Sequence, residues 1–303
     1  MMKNGHLTPG PAGPGQAGNT VTIGADLVVG RIGYGAMRLT GSHVWGDYPD
    51  RDGGIALLQD VVDAGITFID TADVYGPHSN EILIHDALHP YPDGLVIATK
   101  GGFVRGGYDY STLDAVGNKN YLRQSAQMSA RRLGVEQIGL YYLHSGRATD
   151  APFEDQVATL AGLRDEGLIA NIGLSNVTLD QFQAAQAIVG VAAVTAHYNP
   201  AVRTGAGLLD AAEKAGAVFS PWHPVTVTEN GDPHVAEILG AIAGRHEATI
   251  PQIALAWQLH RSPASLPIPG TTSLHHLREN LAAGTICLTP AEVQAITDLV
   301  PES

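Results

Sequence analysis

Three apolar runs of the chain each end at a polar side chain that could take part in proton transfer. Asp70 follows the run GITFI, Lys100 follows LVIAT and His144 follows IGLYYL. A fourth group, the phenol of Tyr75, lies five residues after Asp70. A tyrosine hydroxyl has a reference pKa near 10, which is too high for easy proton exchange at neutral pH. A neighbouring ammonium favours the phenolate, so we expect Lys100 to lower the pKa of Tyr75 and make it a usable general acid.

The other two groups have chemical types that would support such an acid. Asp70, paired with Lys100, would keep the ammonium charged and positioned despite burial. His144 can hydrogen-bond a substrate carbonyl and hold it in line. Because no side chain supplies a hydride, an acid and a carbonyl clamp together imply a nicotinamide cofactor.

A regular alternation of strands and helices has to bring these groups together. Apolar β-prone runs alternate with amphipathic helical patterns eight times, from a strand at Arg31 to Gly35 to a last strand at Ser265 to Ile268. Strict alternation implies a parallel sheet with right-handed crossovers, and eight units favour a closed barrel over an open sheet. We therefore predict an α/β fold of the (β/α)8 or TIM barrel class. The carboxyl ends of the strands form the active-site face of such barrels.

We predict one barrel domain, residues 20–303, preceded by a short leader. Residues 1–19 are rich in Gly and Pro, which predicts a disordered leader. Val21 to Val29 (VTIGADLVV) predicts a β-hairpin that closes the amino-terminal end, or bottom, of the barrel. Ser79 is the predicted N-cap of the helix after Tyr75, and Gly101 to Gly117 is a long connection of the kind that often carries function.

Composition restricts the partners and the compartment. The chain has 17 Lys and Arg against 30 Asp and Glu, for a formal net charge of −13, which argues against a nucleic-acid partner. A single cysteine, with no signal peptide or membrane-spanning run, indicates a cytoplasmic protein. His85 and His89 have zinc-helix spacing, but Pro90 ends that helix at once and no third ligand follows, so we predict no metal site.

The same reactive groups lie in segments that resemble the aldo-keto reductase family. The similar segments are RIGYGAMRL, GITFIDTADVYGPHSNEIL, VIATK, IGLYYLHS, GLIANIGLSNV, HYNP, ALAWQL and PIPGTTSLHHLRENLAA. YGPH after the aspartate resembles short-tailed bacterial-type members such as pyridoxal reductase-like proteins. The family's catalytic tetrad corresponds to Asp70, Tyr75, Lys100 and His144. The resemblance implies hydride transfer from NADPH to an aldehyde or ketone, with Tyr75 as the proton donor.

The resemblance also implies which residues bind cofactor and substrate. Ser175 and Asn176 would hold the nicotinamide carboxamide, and Phe219 would stack on the nicotinamide ring. The remaining cofactor candidates are Met37, Ser220, Trp222, Gly270, Thr271, Thr272, His276, Arg278 and Asn280. The substrate candidates are Trp45, Phe103 and Trp222.

Three departures from the family pattern bear on the cofactor. Thr195 stands where most members have a Gln that contacts the carboxamide. Thr271, Thr272 and Ser273 follow IPG where many members have Arg or Lys for the 2′-phosphate, so NADH is not excluded. The usual glycines after FSPW are replaced by HPV, which changes the loop from Trp222 to Pro233.

Two other classes of function stay open at this point. A non-redox lyase or dehydratase could use the same acid–base set, and the altered loop from Trp222 is the feature that favours it. A cofactor-binding regulatory subunit would resemble the channel-associated members of the family. An aldolase with Lys100 as a Schiff base is disfavoured, because Asp70 nearby would keep the amine protonated.

Overall fold

A computed structural model describes residues 20–227 and 233–301 of the chain. The predicted leader, residues 1–19, and residues 228–232 of the loop between Trp222 and Pro233 lie outside these described residues. Within them the strands are β1 (Thr20–Ile23), β2 (Leu27–Gly30), β3 (Tyr34–Gly35), β4 (Phe68–Asp70), β5 (Val96–Gly101), β6 (Phe103–Arg105), β7 (Leu113–Ala115), β8 (Ile138–Leu143), β9 (Ile169–Ser175), β10 (Ala193–His197) and β11 (Val218–Trp222). The helices are α1 (Arg51–Asp63), α2 (Ser79–Leu88), α3 (Lys119–Leu133), α4 (Phe153–Asp165), α5 (Leu179–Val189), α6 (Ala206–Ala215), α7 (Pro233–Arg245), α8 (Ile250–Arg261), α9 (Leu274–Ala282) and α10 (Pro290–Thr297).

Seven strands form one parallel sheet in the order β11-β10-β9-β8-β5-β4-β3, and residues 265–269 join its two outer strands. On one side the Leu266 N–H donates to the Phe219 carbonyl at 2.8 Å. On the other side the Gly33 and Gly35 N–H groups donate to Pro267 and Pro269 at 2.9 and 3.4 Å. The ring is therefore closed, and the predicted (β/α)8 barrel is confirmed. The predicted strand Ser265 to Ile268 forms only an isolated bridge, because Pro267 within it and Pro269 after it have no N–H to donate.

The hairpin of β1 and β2 closes the bottom of the barrel, as predicted. Its strands pair antiparallel from Thr20–Gly30 to Ile23–Leu27. Ile23 and Val29 are buried in the same apolar cluster as interior strand residues such as Phe68 and Leu140. The hairpin thus fills the end of the barrel opposite the predicted active site.

The helices form the outer layer, and several of their first turns follow directly from the sequence. Helices α5, α8 and α10 each begin with a capping box, in which Thr178, Thr249 or Thr289 caps the helix and a Gln or Glu three residues later reaches back. Among the described residues, no helix combines the length and apolarity that crossing a membrane requires.

Two local predictions around the barrel mouth were incomplete or wrong. The connection Gly101 to Gly117 contains an antiparallel hairpin of β6 and β7, paired from Phe103–Ala115 to Arg105–Leu113. Ser79 is the first residue of α2 and not its N-cap. Its hydroxyl instead donates to the Gly46 carbonyl at 2.8 Å, which ties α2 to the loop before α1.

Candidate active site

The ends of β4, β5 and β8 bring Asp70, Lys100 and His144 to one face of the barrel. Lys100 Nζ donates to Asp70 Oδ1 at 2.5 Å and to the Thr71 carbonyl at 2.9 Å. Both side chains of this pair are about 95% buried, with exposures of 4% and 5%. His144 follows β8, where its N–H donates to the Gly101 carbonyl at 2.8 Å.

Tyr75 reaches this group from the loop that leaves β4. Lys100 Nζ lies 5.3 Å from the centre of the Tyr75 ring. The Tyr75 and His144 rings meet nearly edge to face, with centroids 6.0 Å apart at 76°. The structure thus gathers the four residues that the sequence singled out.

The backbone after Tyr75 is held by the loop before α1. Gly76, with φ +80°, adopts a left-handed conformation that favours glycine, and its N–H donates to the Val44 carbonyl at 3.1 Å. Val44 itself has φ +57°, which is an outlier for a β-branched residue. Arg105 Nη1 also donates to the Val44 carbonyl, at 3.2 Å. Such a strained residue beside a reactive group is typical of a site whose geometry is imposed by its surroundings.

Two adjoining cavities open around the tetrad. The larger cavity, of about 600 Å³, contains all four tetrad residues, and the smaller cavity, of about 400 Å³, shares Asp70 and Tyr75 with it. The larger cavity is also lined by Met37, His43, Val44, Phe103, Tyr110, Leu113, Arg147, Ser175, Asn176, Thr195, Trp222, His223 and Ile268. The smaller cavity continues past Gly35 and Thr40 to Gly270 and Thr272. Together they form an extended groove across the top of the barrel.

Burial and the Lys100 charge set the protonation of Asp70 and His144. Burial raises the pKa of Asp70, and the Lys100 ammonium opposes that rise. Burial and the same ammonium hold the pKa of His144 well below its usual value, so this imidazole is neutral at physiological pH. Asp70 Oδ2 and His144 Nδ1 are buried with no partner among the described residues.

The pKa of Tyr75 moves in the opposite direction to the one expected from the sequence. Burial raises it well above its usual value, and the nearby carboxyls of Asp70 and Asp73 add to that rise. The expectation that Lys100 lowers this pKa is therefore wrong for this structure, because removal from water and the nearby acidic groups all raise it. The phenol keeps its proton at neutral pH, which suits a group that donates one.

Two cofactor candidates lie at the end of β9, beside Thr195 of β10. Ser175 and Asn176 line the larger cavity, and Asn176 Nδ2 donates to Ser175 Oγ and to the His144 carbonyl at 3.0 and 3.2 Å. Thr195, which replaces the family's usual Gln, lines the same cavity. Its hydroxyl is buried without a partner in the described structure, so it can still bond a polar ligand group.

Phe219 is not at the cavity, so its predicted stacking on a nicotinamide ring is wrong. It is fully buried and meets Tyr198 edge to face at 5.7 Å, within the cluster that includes helix residues. Side chains alternate between the two faces of a strand, so the register that turns Trp222 inward turns Phe219 outward. Trp222 lines both cavities and stacks on His197 at 4.2 Å and 11°.

The other candidates divide between the groove and its surroundings. Met37, Gly270 and Thr272 line the smaller cavity, and Phe103 lines the larger one. The residues that line neither cavity are Trp45, Ser220, Thr271, His276, Arg278 and Asn280. Trp45 packs its ring against the Arg105 guanidinium at 5.2 Å instead.

Sequence reasoning missed several lining residues on the loops, above all Arg147. It lies three residues after His144, so its place on the loop beyond a reactive strand end was a usable signal. His43 and Leu113 lie in elements of only three residues, which carry no comparable pattern. In the part of the chain that the structure describes, no three His, Cys, Asp or Glu side chains are grouped as a metal site.

Comparison with known proteins identifies the class. The sequence profile of the aldo/keto reductase family matches residues 31–301, so the chain belongs to this family. It is 43% identical over 283 residues to an uncharacterized oxidoreductase of Schizosaccharomyces pombe, covering 93% of this chain and 90% of that one. It is 38% identical over 276 residues to pyridoxine 4-dehydrogenase of Escherichia coli, covering 89% of this chain and 94% of that protein.

Solved structures share the fold over nearly the whole chain. The thermostable aldo-keto reductase Tm1743, in complex with the inhibitor epalrestat, superposes with a TM-score of 0.80 at 27% identity, covering 93% of this chain and 99% of that one. An aldo/keto reductase from Klebsiella pneumoniae, in complex with NADP and acetate, superposes with a TM-score of 0.75 at 25% identity, covering 93% and 95%. The protein is thus an oxidoreductase built on the barrel of this family.

Proposed function

We propose that the protein reduces an aldehyde or ketone with NADPH, and that Tyr75 donates the proton to the carbonyl oxygen. The observation that carries this proposal is the larger cavity, where a protonated phenol, a neutral imidazole and a buried ammonium border one space. A carbonyl oxygen placed between Tyr75 and His144 could accept a hydrogen bond from each. Lys100 would stabilise negative charge as it develops on that oxygen and on the phenol.

The groove has the polar and aromatic groups that a nicotinamide dinucleotide needs. Ser175, Asn176 and Thr195 would bind the carboxamide, and Trp222 would cover the ring. Among the described residues neither the Thr195 hydroxyl nor the buried Trp222 Nε1 has a hydrogen-bond partner, and this supports the fit. NADPH, when bound, supplies the hydride. In support, the solved Klebsiella pneumoniae relative is described as a complex with NADP.

The distal end of the cofactor would lie along the smaller cavity toward α9. Thr272 is exposed there, and Ser273 caps the helix by accepting from the His276 N–H. A helix N-terminus and hydroxyl groups favour a phosphate. Arg278 is exposed on the same helix, and a 2′-phosphate held without a close guanidinium is consistent with some use of NADH.

The partner we propose is a small carbonyl compound in the cytoplasm. Cys287 is a free, exposed thiol, which fits a reducing compartment. The Escherichia coli relative is named for action on pyridoxine, so pyridoxal belongs in the first panel of carbonyl compounds.

A direct assay tests the proposal. Purified protein should consume NADPH, measured near 340 nm, when 4-nitrobenzaldehyde is added. Tyr75→Phe should lower kcat at least about a hundredfold, because it removes only the transferable proton. Tyr91→Phe is the matched control, since its hydroxyl donates to the Leu133 carbonyl away from both cavities. An unchanged rate in Tyr75→Phe would rule out the assigned acid.

The same assay separates the two alternatives. Product that forms while the absorbance near 340 nm stays constant would favour a lyase or dehydratase. Tight NADPH binding without turnover on any carbonyl compound would favour a regulatory subunit.

A further inference from the structure

The larger cavity is lined by an excess of basic side chains, although the whole chain has a formal net charge of −13. Of the described residues, Asp70 is the one carboxylate that lines it, and Lys100 neutralises that charge. Arg147 adds a guanidinium that no acidic lining residue balances. A cavity of this charge in an acidic protein favours an anionic ligand.

Arg147 has no carboxylate partner in the described part of the chain. Its Nε lies 3.4 Å from Ser145 Oγ, and its guanidinium carbon lies 5.7 Å from the centre of the Phe103 ring. Other arginines, such as Arg123 and Arg132, form ion pairs with Glu166 and Glu81. Arg147 is an exposed residue, so its guanidinium can exchange water for a ligand oxygen at little cost.

Phe103 connects Arg147 to the reacting groups. The Phe103 ring lies 4.7 Å from the His144 ring, and the guanidinium lies against the same phenyl ring. A substrate whose carbonyl meets Tyr75 and His144 would therefore have Phe103 along its body and Arg147 beyond it. Leu113 and Val44 pack against the apolar cluster of Tyr75 and Phe103 and add apolar surface to the same cavity.

Arg147 is also separate from the distal part of the cofactor groove. It does not line the smaller cavity, which continues toward Gly270 and Thr272. Its loop instead follows β8, and the Gly146 N–H beside it donates to the Asn176 carbonyl at 3.3 Å. An anion at Arg147 would thus belong to the substrate and not to the phosphates of the dinucleotide.

We propose that Arg147 binds an anionic group of the substrate, so that the preferred substrates are aryl or other apolar aldehydes and ketones with a carboxylate or phosphate opposite the carbonyl. This inference rests on the proposed function. A guanidinium presents a planar pair of donors that matches a carboxylate or phosphate. Because this contact is equally strong before and during hydride transfer, it lowers KM and leaves kcat little affected.

A pair of substrates of nearly equal shape tests the charge alone. 4-Carboxybenzaldehyde and 4-nitrobenzaldehyde carry planar groups of similar size at the same position, and only the first is anionic. We expect Arg147→Gln to lower kcat/KM for the carboxylate at least about tenfold relative to the nitro compound, through KM. The different intrinsic reactivities of the two aldehydes cancel when variant and wild type are compared. 4-Formylphenyl phosphate, measured in the same way, shows whether phosphate or carboxylate is preferred.

Arg131→Gln is the matched control, because Arg131 is exposed on α3 and lines neither cavity. It removes the same charge and should give the wild-type ratio between the two aldehydes. If the ratio of kcat/KM for the carboxylate to kcat/KM for the nitro compound changes less than about twofold in Arg147→Gln, the inference is overturned. The proposed function still stands in that case if the nitro compound is reduced.

If neither aldehyde is reduced, the proposed function fails. Binding of 4-carboxybenzaldehyde to wild type and to Arg147→Gln then still tests the anion site. Trp222 lines the cavity, so quenching of tryptophan fluorescence by 4-carboxybenzaldehyde reports its occupancy. Weaker quenching of Arg147→Gln than of wild type would support anion binding at Arg147. Equal quenching would overturn it.

Discussion

Two buried pairs of opposite charge flank the loop that carries Tyr75, and they differ in what their carboxylates leave unused. Asp70 contacts Lys100 through Oδ1, while Oδ2 has no partner among the described residues. Glu81 uses both oxygens: Thr99 Oγ1 donates to Oε1 and Arg132 Nε to Oε2, each at 2.6 Å. The first pair lines a cavity, and the second lines none of the cavities described above.

Consecutive residues of β5 contact the two pairs: Thr99 contacts Glu81, and Lys100 contacts Asp70. Thr99 and Lys100 are neighbours on β5, and successive side chains of a strand point to opposite faces. Lys100 therefore faces the barrel mouth and Thr99 faces the helices. A buried ion pair alone does not indicate catalysis, since structural pairs are buried too. The unused oxygen beside a cavity is what distinguishes Asp70 from Glu81.

The largest effect on folding is expected at the satisfied pair. Arg132→Met leaves Glu81 buried without its partner, so we expect the free energy of unfolding to fall by about 3–5 kcal/mol. Urea denaturation measures this change, and kcat per folded molecule should match wild type. Arg131→Met, at the exposed neighbouring position, is the control. A loss under about 1 kcal/mol would remove the distinction between the two pairs.

The next largest effect is on catalysis, at the other pair. Lys100→Met should lower kcat at least about a hundredfold, because no ammonium then stabilises charge beside Tyr75. Its unfolding free energy should fall less than that of Arg132→Met, since Asp70 borders a cavity and can take up a proton. Steady-state assays give kcat, and urea denaturation of the same preparations gives the unfolding free energy. A kcat within about tenfold of wild type would contradict the assigned role.

The last effect is a pH dependence of stability at Asp73, a third buried carboxyl between the two pairs. Ser125 Oγ donates to Asp73 Oδ2 at 2.6 Å, while burial, with Glu81 adding to it, raises the pKa of Asp73 to about 7. The unfolded chain releases this proton near its usual pKa of 3.8. Between those values the folded state holds a proton that the unfolded state does not, so raising the pH lowers the free energy of unfolding. The slope is at most about 1.4 kcal/mol per pH unit.

Asp73→Asn should remove this dependence. We would measure the unfolding free energy of both proteins from about pH 4.5 to about pH 7.5. The value for wild type minus that for the variant should fall steadily as the pH rises and then level off near the pKa of Asp73. A difference that is constant over that range would show that Asp73 ionises normally in the folded protein.

The same alternation explains which parts of the site the sequence could predict. Asp70, Lys100 and His144 each end an apolar run, so a parallel barrel necessarily gathers them at one face. The prediction that Phe219 stacks on the nicotinamide ring was wrong although its strand was predicted correctly, because its side chain points to the helix side of the sheet and not to the barrel mouth. The predicted lowering of the Tyr75 pKa was wrong because this pKa depends on how far the phenol is removed from water, which the sequence does not show.

The remaining differences arise where irregular backbone decides the outcome. Arg147 reaches the cavity through the path of a loop, and no period in the sequence encodes that path. The β6–β7 hairpin was missed because its strands are three residues each, within a Gly-rich segment. The barrel class was predictable because eight alternating units tolerate such local errors, including a last strand that lacks regular pairing.

The last segment closes the barrel through one-sided hydrogen bonding to β3. The Pro267 and Pro269 carbonyls accept from the Gly33 and Gly35 N–H groups, but a proline has no N–H to donate in return. A Cβ on Gly35 would lie 2.7 Å from the Ile268 carbonyl oxygen, and one on Gly270 would lie 2.8 Å from that of Gly35, so only bare backbone fits across it. The smaller cavity lies directly along this line, bordered by Gly35, Ile268 and Gly270. Glycine at both positions therefore lets the first and last segments of the barrel approach closely beside the smaller cavity, and a side chain at either position would push them apart.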